Sequence, residues 1–191
     1  MEELKAYFNG ISVLSDSTWD KIVPLFNERR IKRKDYFVRE HELAREIAFL
    51  KTGVVRAYFT NEEGKEYNKQ FFVGSTIIGA YTSLLTGKSN IIAQQALTDC
   101  VVYACKYKCL TDLYATHPDL ERFARKIAEH YFLEKEKKEI EIVLLDATER
   151  YSIFKNEFPT LEQLIPQLHI ASYLGISATQ LSRIRKELIS Q

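Results

Sequence analysis

Ser177, Thr179, Gln180, Arg183, Arg185 and Lys186 fall within one short C-terminal stretch, and their side chains are those that read and hold nucleic acid. Hydroxyl and amide groups hydrogen-bond to base edges, a guanidinium forks onto O6 and N7 of guanine, and an ammonium pairs with phosphate. Ser177, Thr179, Gln180 and Arg183 are therefore expected to face bases, with Arg185 and Lys186 holding the backbone; the small Ala178 among them permits close approach. The same residues also suit an ordinary helical hairpin with a solvated basic face, because Arg and Lys late in a helix complement its macrodipole. No enzyme is expected, since no nucleophile, base and oxyanion donor can be assembled from the spacing. His41, His117, His130 and His169 are scattered and form no metal pair. Cys100, Cys105 and Cys109 lie close together without an evident fourth ligand, so they read as small buried hydrophobes, and neither a metal nor a cofactor is expected.

A helix must present the polar face, and the flanking pattern supplies one. Ile170, Ala171 and Leu174 give a first helix its apolar stripe, Gly175 can adopt the left-handed conformation at its end, and Ser177 can cap a second helix. Leu181, Ile184 and Leu188 recur at helical spacing and anchor that second helix. Upstream, neither Gly nor Pro interrupts the run from Pro118 to about Leu145, enough for a helix of about 40 Å at about 1.5 Å per residue. Leu120, Phe123, Ile127, Tyr131, Leu144 and Leu145 predict a seam along it, with a polar middle at Glu134, Lys138 and Glu141. That middle suits a partly wet contact between two copies better than a core; the alternative is a helix lying on its own β domain. Asp146 is placed to cap whatever helix follows.

From about residue 31 to 109 the texture changes to short runs rich in Val, Ile, Phe, Tyr and Thr. Gly53–Thr60 and Glu66–Phe72, separated by a polar glycine turn, predict a hairpin. Ile91–Ala96 and Cys100–Cys105 add strands, and this many short strands favour a sandwich or jelly roll. Residues from about 3 to 30 predict helix, with Leu4, Phe8, Trp19, Ile22 and Phe26 available for packing. Arg29, Arg30, Lys32, Arg33 and Lys34 form the densest basic run; on a strand they suggest an exposed edge, with flanking DNA or RNA polymerase as the functional alternative.

With 46% hydrophobic and 28% charged residues in 191, the chain has material for a core and no compositional mark of disorder. A net charge of +1 argues against indiscriminate coating of nucleic acid, so DNA binding must be local and geometric. No secretory signal or membrane-length run is visible, which places the protein in the cytoplasm with its three cysteines reduced.

In their order and spacing these segments resemble the Crp/Fnr family of bacterial transcription regulators, the group of the cyclic-AMP receptor protein and Fnr. Lys51–Ala57 followed by Asn61–Glu66 is similar to the family's early β-roll hairpin, Leu145–Arg150 to its hinge, and Ile170–Ser177 with Leu181–Ile184 to its recognition unit. The resemblance implies an α+β fold in three parts. Residues 1–116 would form a cyclic-nucleotide-binding-like β-roll sensor (a double-stranded β-helix or jelly roll), 117–145 a long dimerisation helix, and 146–191 a helix-turn-helix DNA-binding domain. It further implies a homodimer on palindromic double-stranded DNA, with a β-roll sensor coupled through the long helix to the DNA-binding domain and an unidentified small molecule as the candidate effector.

The resemblance has departures. The family's phosphate cassette carries a Gly-Glu pair ahead of an Arg-Ser pair; here Gly79 is followed by Ala80 and Tyr81, and the later positions are Asn90 and Ile91. Lys88 offers a charge from the same loop, but a lysine does not reproduce a guanidinium fork. Gly79, Ala80, Tyr81, Lys88, Asn90 and Ile91 thus mark the expected effector pocket, for a small ligand other than cyclic AMP or for none. Lys135 and Glu136 stand where cyclic-AMP binders reach the adenine, and Ala178 and Thr179 replace an Arg-Glu pair, so the operator does not carry over. The sequence ends soon after the second helix, and no β-hairpin wing is expected beyond it. A small-ligand-binding or protein-interaction module with weak or lost DNA binding is the competing reading.

Overall fold

The computed structural model describes residues 1–189, and it divides into two compact units: Met1–Ala57 with Phe71–Phe132, and Tyr58–Gln70 with the chain from Leu133 on. The first unit opens with α1 (Glu2–Ile11), α2 (Asp16–Ile22) and a 3-10 turn at Val23–Leu25 that takes Pro24 in its first positions. Helix does not continue to residue 30 as the sequence suggested. Phe26 turns extended and Asn27–Ile31 is strand β1, paired residue for residue with β8 (Cys100–Lys106) from Asn27↔Ala104 to Ile31↔Cys100. This partner lies about seventy residues downstream, and its ladder overrides any local helical preference.

The remaining strands are β2 (Tyr36–Val38), β3 (Glu46–Thr52), β4 (Val54–Thr60), β5 (Glu66–Val73), β6 (Thr76–Ile78) and β7 (Ala93–Ala96). They make two four-stranded sheets, ordered β1-β8-β3-β6 and β2-β7-β4-β5, which is the predicted roll. β1 is an edge strand, and Asn27–Arg30 on it are exposed, in keeping with a charged edge that discourages strand addition.

Period-two alternation in the first sheet serves two cores. Ala48, Leu50, Cys100, Val102 and Ala104 pack inside the roll with Ile31, Val55, Ile78 and Ala96. Phe49, Tyr103 and Cys105 join the opposite core, where Leu4, Phe8, Trp19, Ile22 and Phe26 meet Leu110 of α4 (Tyr107–Thr111) and Leu120 and Phe123 of α5 (Pro118–Leu144). Phe8 stacks on Phe123 at 3.9 Å between ring centroids. Burial pushes the Cys105 thiol up to about 12, with Cys109 and Glu46 adding to it, so Cys105 is a protonated, unreactive filler at neutral pH.

The early turns of α5 therefore belong to a core, not to a seam. Leu120 is 2% exposed, Ile127 packs beside it, and the Tyr131 hydroxyl donates to the carbonyl of Ile77 at 2.9 Å. The sequence assigned Leu120, Phe123, Ile127 and Tyr131 to a contact between copies; the α1 and α2 side chains pack with the first three instead, and Tyr131 is held at β6.

Asp119 ties α5 to α2. Its carboxylate accepts from the Ser15 backbone (2.8 Å), the Thr18 hydroxyl (2.7 Å) and the Leu120 backbone (3.0 Å). Desolvation alone would raise this carboxyl, but the hydrogen bonds from Ser15, Thr18 and Leu120 together outweigh it and bring it down to about 2. A folded-state value below the ordinary 3.8 means the stabilisation is present above that pH and is lost as pH falls through about 2. Asp119→Asn is expected to cost about 1 kcal/mol at pH 7 after allowance for solvent screening. In urea titrations the gap between variant and parent should close below pH 4, whereas a pH-independent gap would contradict the assignment.

The second unit holds the tip of the β4–β5 hairpin, the end of α5, and α6 (Ala147–Glu157), α7 (Leu161–Leu164), α8 (Gln167–Leu174) and α9 (Ala178–Ile189). Tyr151, Phe154, Leu161, Ile165, Ile170, Leu174, Leu181 and Ile184 fill its core. Asp146 does cap α6, and reciprocally: its side chain accepts from the Thr148 and Glu149 backbones (2.8 and 2.9 Å) while Glu149 accepts from the Asp146 backbone at 2.8 Å. This box fixes a break between α5 and α6. Among the described residues no helix is long and apolar enough to cross a membrane.

Candidate nucleic-acid interface

α8 ends where the sequence placed its end. Gly175 adopts φ +71°, the left-handed region a β-carbon disfavours, and the Ile176 backbone donates to the carbonyl of Ala171 at 3.0 Å. Ser177 caps α9, accepting from the Gln180 backbone at 3.1 Å. Leu181 and Ile184 are buried, as are Ile170, Ala171 and Leu174 on α8, so the two helices share one apolar seam.

The opposite face of α9 is left to solvent. Ser177, Ala178, Thr179, Gln180, Ser182, Arg183 and Lys186 are all exposed. Thr179, Arg183 and Lys186 follow one another at helical spacing of four and three residues, hence on one side. Arg183 makes no ion pair among the described residues. Arg185 differs: half-buried, its guanidinium lies 3.4 Å from the Glu162 carboxylate, which also accepts from the Tyr151 hydroxyl at 2.7 Å. The six residues singled out from the sequence are thus gathered at one helix, five of them exposed and Arg185 half-buried against Glu162.

Two sets of contacts that fix this helix pair escaped the sequence. Arg150 donates to the carbonyl of Leu145, at the end of α5, and at 3.1 Å to that of Leu174, at the end of α8. The hairpin tip holds α8 as well: the Asn68 backbone donates to Ser172 Oγ at 3.0 Å, Ser172 donates to the carbonyl of Glu66 at 2.9 Å, and the Asn68 amide reaches the carbonyl of His169 at 3.1 Å. A buried Asn on a strand was the only local signal, and nothing in the sequence names its partner.

The last turns of α5 carry a different surface. Phe132, Leu133, Ile140, Ile142, Val143 and Leu144 are all exposed, Val143 by 80% and Leu144 by 74%. Leu133, Ile140 and Leu144 are seven and four residues apart, and so share a stripe.

The residues expected to line an effector pocket fall on two segments, joined where the Ser83 hydroxyl donates to the carbonyl of Lys88. Asn90 is buried and shapes its own loop, donating to the carbonyls of Arg39 and Ile92 and accepting from the Ile92 backbone. Ile91 and Lys88 face solvent, while Gly79 and Ala80 precede α3 (Tyr81–Thr86). Tyr81 meets Tyr107 edge to face at 6.1 Å and lines an apolar cavity with Phe8, Phe26, Leu110 and Phe123.

Residues 28–117 match the family model described as the cyclic nucleotide-binding domain. No curated protein matches the sequence. Among solved structures, FixK2 from Bradyrhizobium japonicum gives a TM-score of 0.77 at 20% identity, over 87% of this chain and 85% of that one. The c-di-GMP-responsive global regulator CLP of Xanthomonas campestris gives 0.72 at 17%, over 92% of each chain. A transcriptional regulator of the crp/fnr family from Eubacterium rectale gives 0.73 at 13%, over 93% of this chain and 84% of that one. At such identities the likeness is one of fold.

Proposed function

We propose, from the premise that this chain carries a cyclic-nucleotide-binding-type domain on the fold of the Crp/Fnr transcription regulators, that it is a homodimeric DNA-binding regulator of transcription. The observation that carries this reading is the face of α9. A helix anchored by Leu181 and Ile184 presents Thr179, Gln180, Arg183 and Lys186 to solvent, behind a glycine turn and a serine cap. In this reading α8 and α9 are a helix-turn-helix whose second helix enters the major groove. Ser177, Thr179, Gln180 and Arg183 lie against base edges, and Lys186 against phosphate, with Arg185 reaching the backbone from its tether on Glu162. The exposed apolar stripe at the end of α5 is the dimer contact.

Cyclic AMP is not the effector in this account. The cassette lacks an arginine for the phosphate, and the Asn90 side chain in its place is spent on the backbone of Arg39 and Ile92. Lys88 and Ile91 are exposed to solvent.

Binding of a fluorescent duplex pool across a salt series tests the DNA reading. Affinity should fall linearly on a log–log plot, with a slope reduced by about one in Lys186→Ala and loss spread evenly over sequences. A salt-independent affinity, or no binding by the dimer at low salt, would contradict it.

A further inference from the structure

A polar cavity of roughly 310 Å³ lies wholly within the second unit, between the later turns of α5, the end of α6, α8 and Gln70 of β5. Its walls are Glu134, Lys137, Lys138 and Glu141 on one side, with Glu157, Phe158 and Tyr173 opposite. Glu141 is 6% exposed, yet its Oε2 accepts no hydrogen bond among the described residues. The nearest ammoniums stand off, Lys138 at 3.5 Å from this oxygen and Lys137 at 3.7 Å from Oε1. Both have other attachments: Lys137 pairs with Glu157 at 3.1 Å, and Lys138 sits 4.2 Å over the Tyr173 ring. Glu134 makes no ion pair among the described residues. A buried carboxylate oxygen without a donor is costly, and native structures nearly always supply one.

The charge count identifies the missing partner. Three carboxylates line the cavity against two ammoniums, leaving one negative charge over. The Tyr173 hydroxyl, which lines the same cavity, is raised by burial first and then by the charges of Glu157, Glu141 and Glu134. A metal ion does not fit: among the described residues no group of three His, Cys, Asp or Glu side chains is arranged to hold one. An N–H cation does. It donates to the bare Glu141 oxygen and to Glu134, while the Phe158 and Tyr173 rings accommodate its hydrocarbon. The volume is at the small end of the roughly 300–1,000 Å³ of ligand pockets, enough for a short amine or guanidinium compound.

We infer that this cavity is a binding site for a small organic cation bearing N–H donors, an alkylamine or a guanidinium, held by Glu141 and Glu134. Such a ligand touches α5, α6 and α8 together, so its occupancy biases how the α8–α9 pair is carried on the long helix. That regulatory consequence rests on the DNA-binding reading; the binding itself does not.

Isothermal titration of the full-length protein with putrescine, agmatine and tetramethylammonium chloride, with inorganic phosphate as the anionic control, tests the inference. Saturable binding of putrescine or agmatine is expected. It should be weakened at least tenfold in Glu141→Gln and, as a variant at an exposed position, in Glu134→Gln, with none for tetramethylammonium, which has no N–H. No saturable binding of either amine at millimolar concentration, undiminished binding in both variants, or binding of phosphate in place of the amines would overturn it.

Discussion

Ile140→Asp combined with Val143→Asp should yield a folded monomer that has lost at least a hundredfold in affinity for its operator. Ile140 lies in the exposed stripe of α5 and Val143, three residues on, is exposed beside it. Contiguous exposed apolar surface of this kind marks an interface, and placing two carboxylates from each copy along one seam adds like-charge repulsion to the lost burial. Two linked half-site contacts exceed a single one by about 10²–10⁴ in affinity, and a monomer forfeits that factor. Because both positions are solvent-exposed within the chain, helical content by circular dichroism should be unchanged. Sedimentation equilibrium checks the mass. A variant that remains dimeric at micromolar concentration would place the contact elsewhere.

Arg183→Ala should cost about 1–3 kcal/mol, and only at the base pair it reads. Arg183 is the exposed arginine of α9 without an ion pair to compete for it, unlike Arg185, which faces Glu162. It stands one turn past Thr179 on the same side, on a helix fixed by buried Leu181 and Ile184. Truncation therefore removes a guanidinium fork with little repacking. In a panel of operators mutated singly, parent and variant should differ in their preference at one position and agree at the others. A uniform loss over all sequences would make Arg183 a phosphate contact instead.

What the sequence conveyed depended on whether a signal was local. The α8–α9 unit was legible because Gly175, Ser177, Leu181 and Ile184 each act within a turn or two of helix. Asp146 as a cap was legible for the same reason, as was the β4–β5 hairpin from its glycine turn. The strand at Asn27–Ile31 was not, because its partner β8 lies far along the chain and its polar residues carry no alternating apolar signal. The first turns of α5 misled because a helix facing a core and one facing a second copy show the same apolar spacing; Leu120 and Phe123 are distinguished only by α1 and α2 closing over them. Ser172 with Asn68 and Arg150 with Leu174 are pairings across 104 and 24 residues, and they depend on tertiary placement alone. Asn90 aligned with a ligand position, yet its amide is bonded to the backbone of Ile92 in its own loop and of Arg39, 51 residues away.

The most direct test of the central claim is selection from a random duplex pool by the full-length protein, at two salt concentrations and without added effector, followed by sequencing. The account predicts enrichment of a palindrome with half-sites one helical turn, about 34 Å, apart, sharpening at the higher salt as non-specific phosphate contacts weaken. A pool that stays random at both salts, from protein shown to be dimeric, would contradict a DNA-reading function and leave a ligand-binding or interaction module in its place.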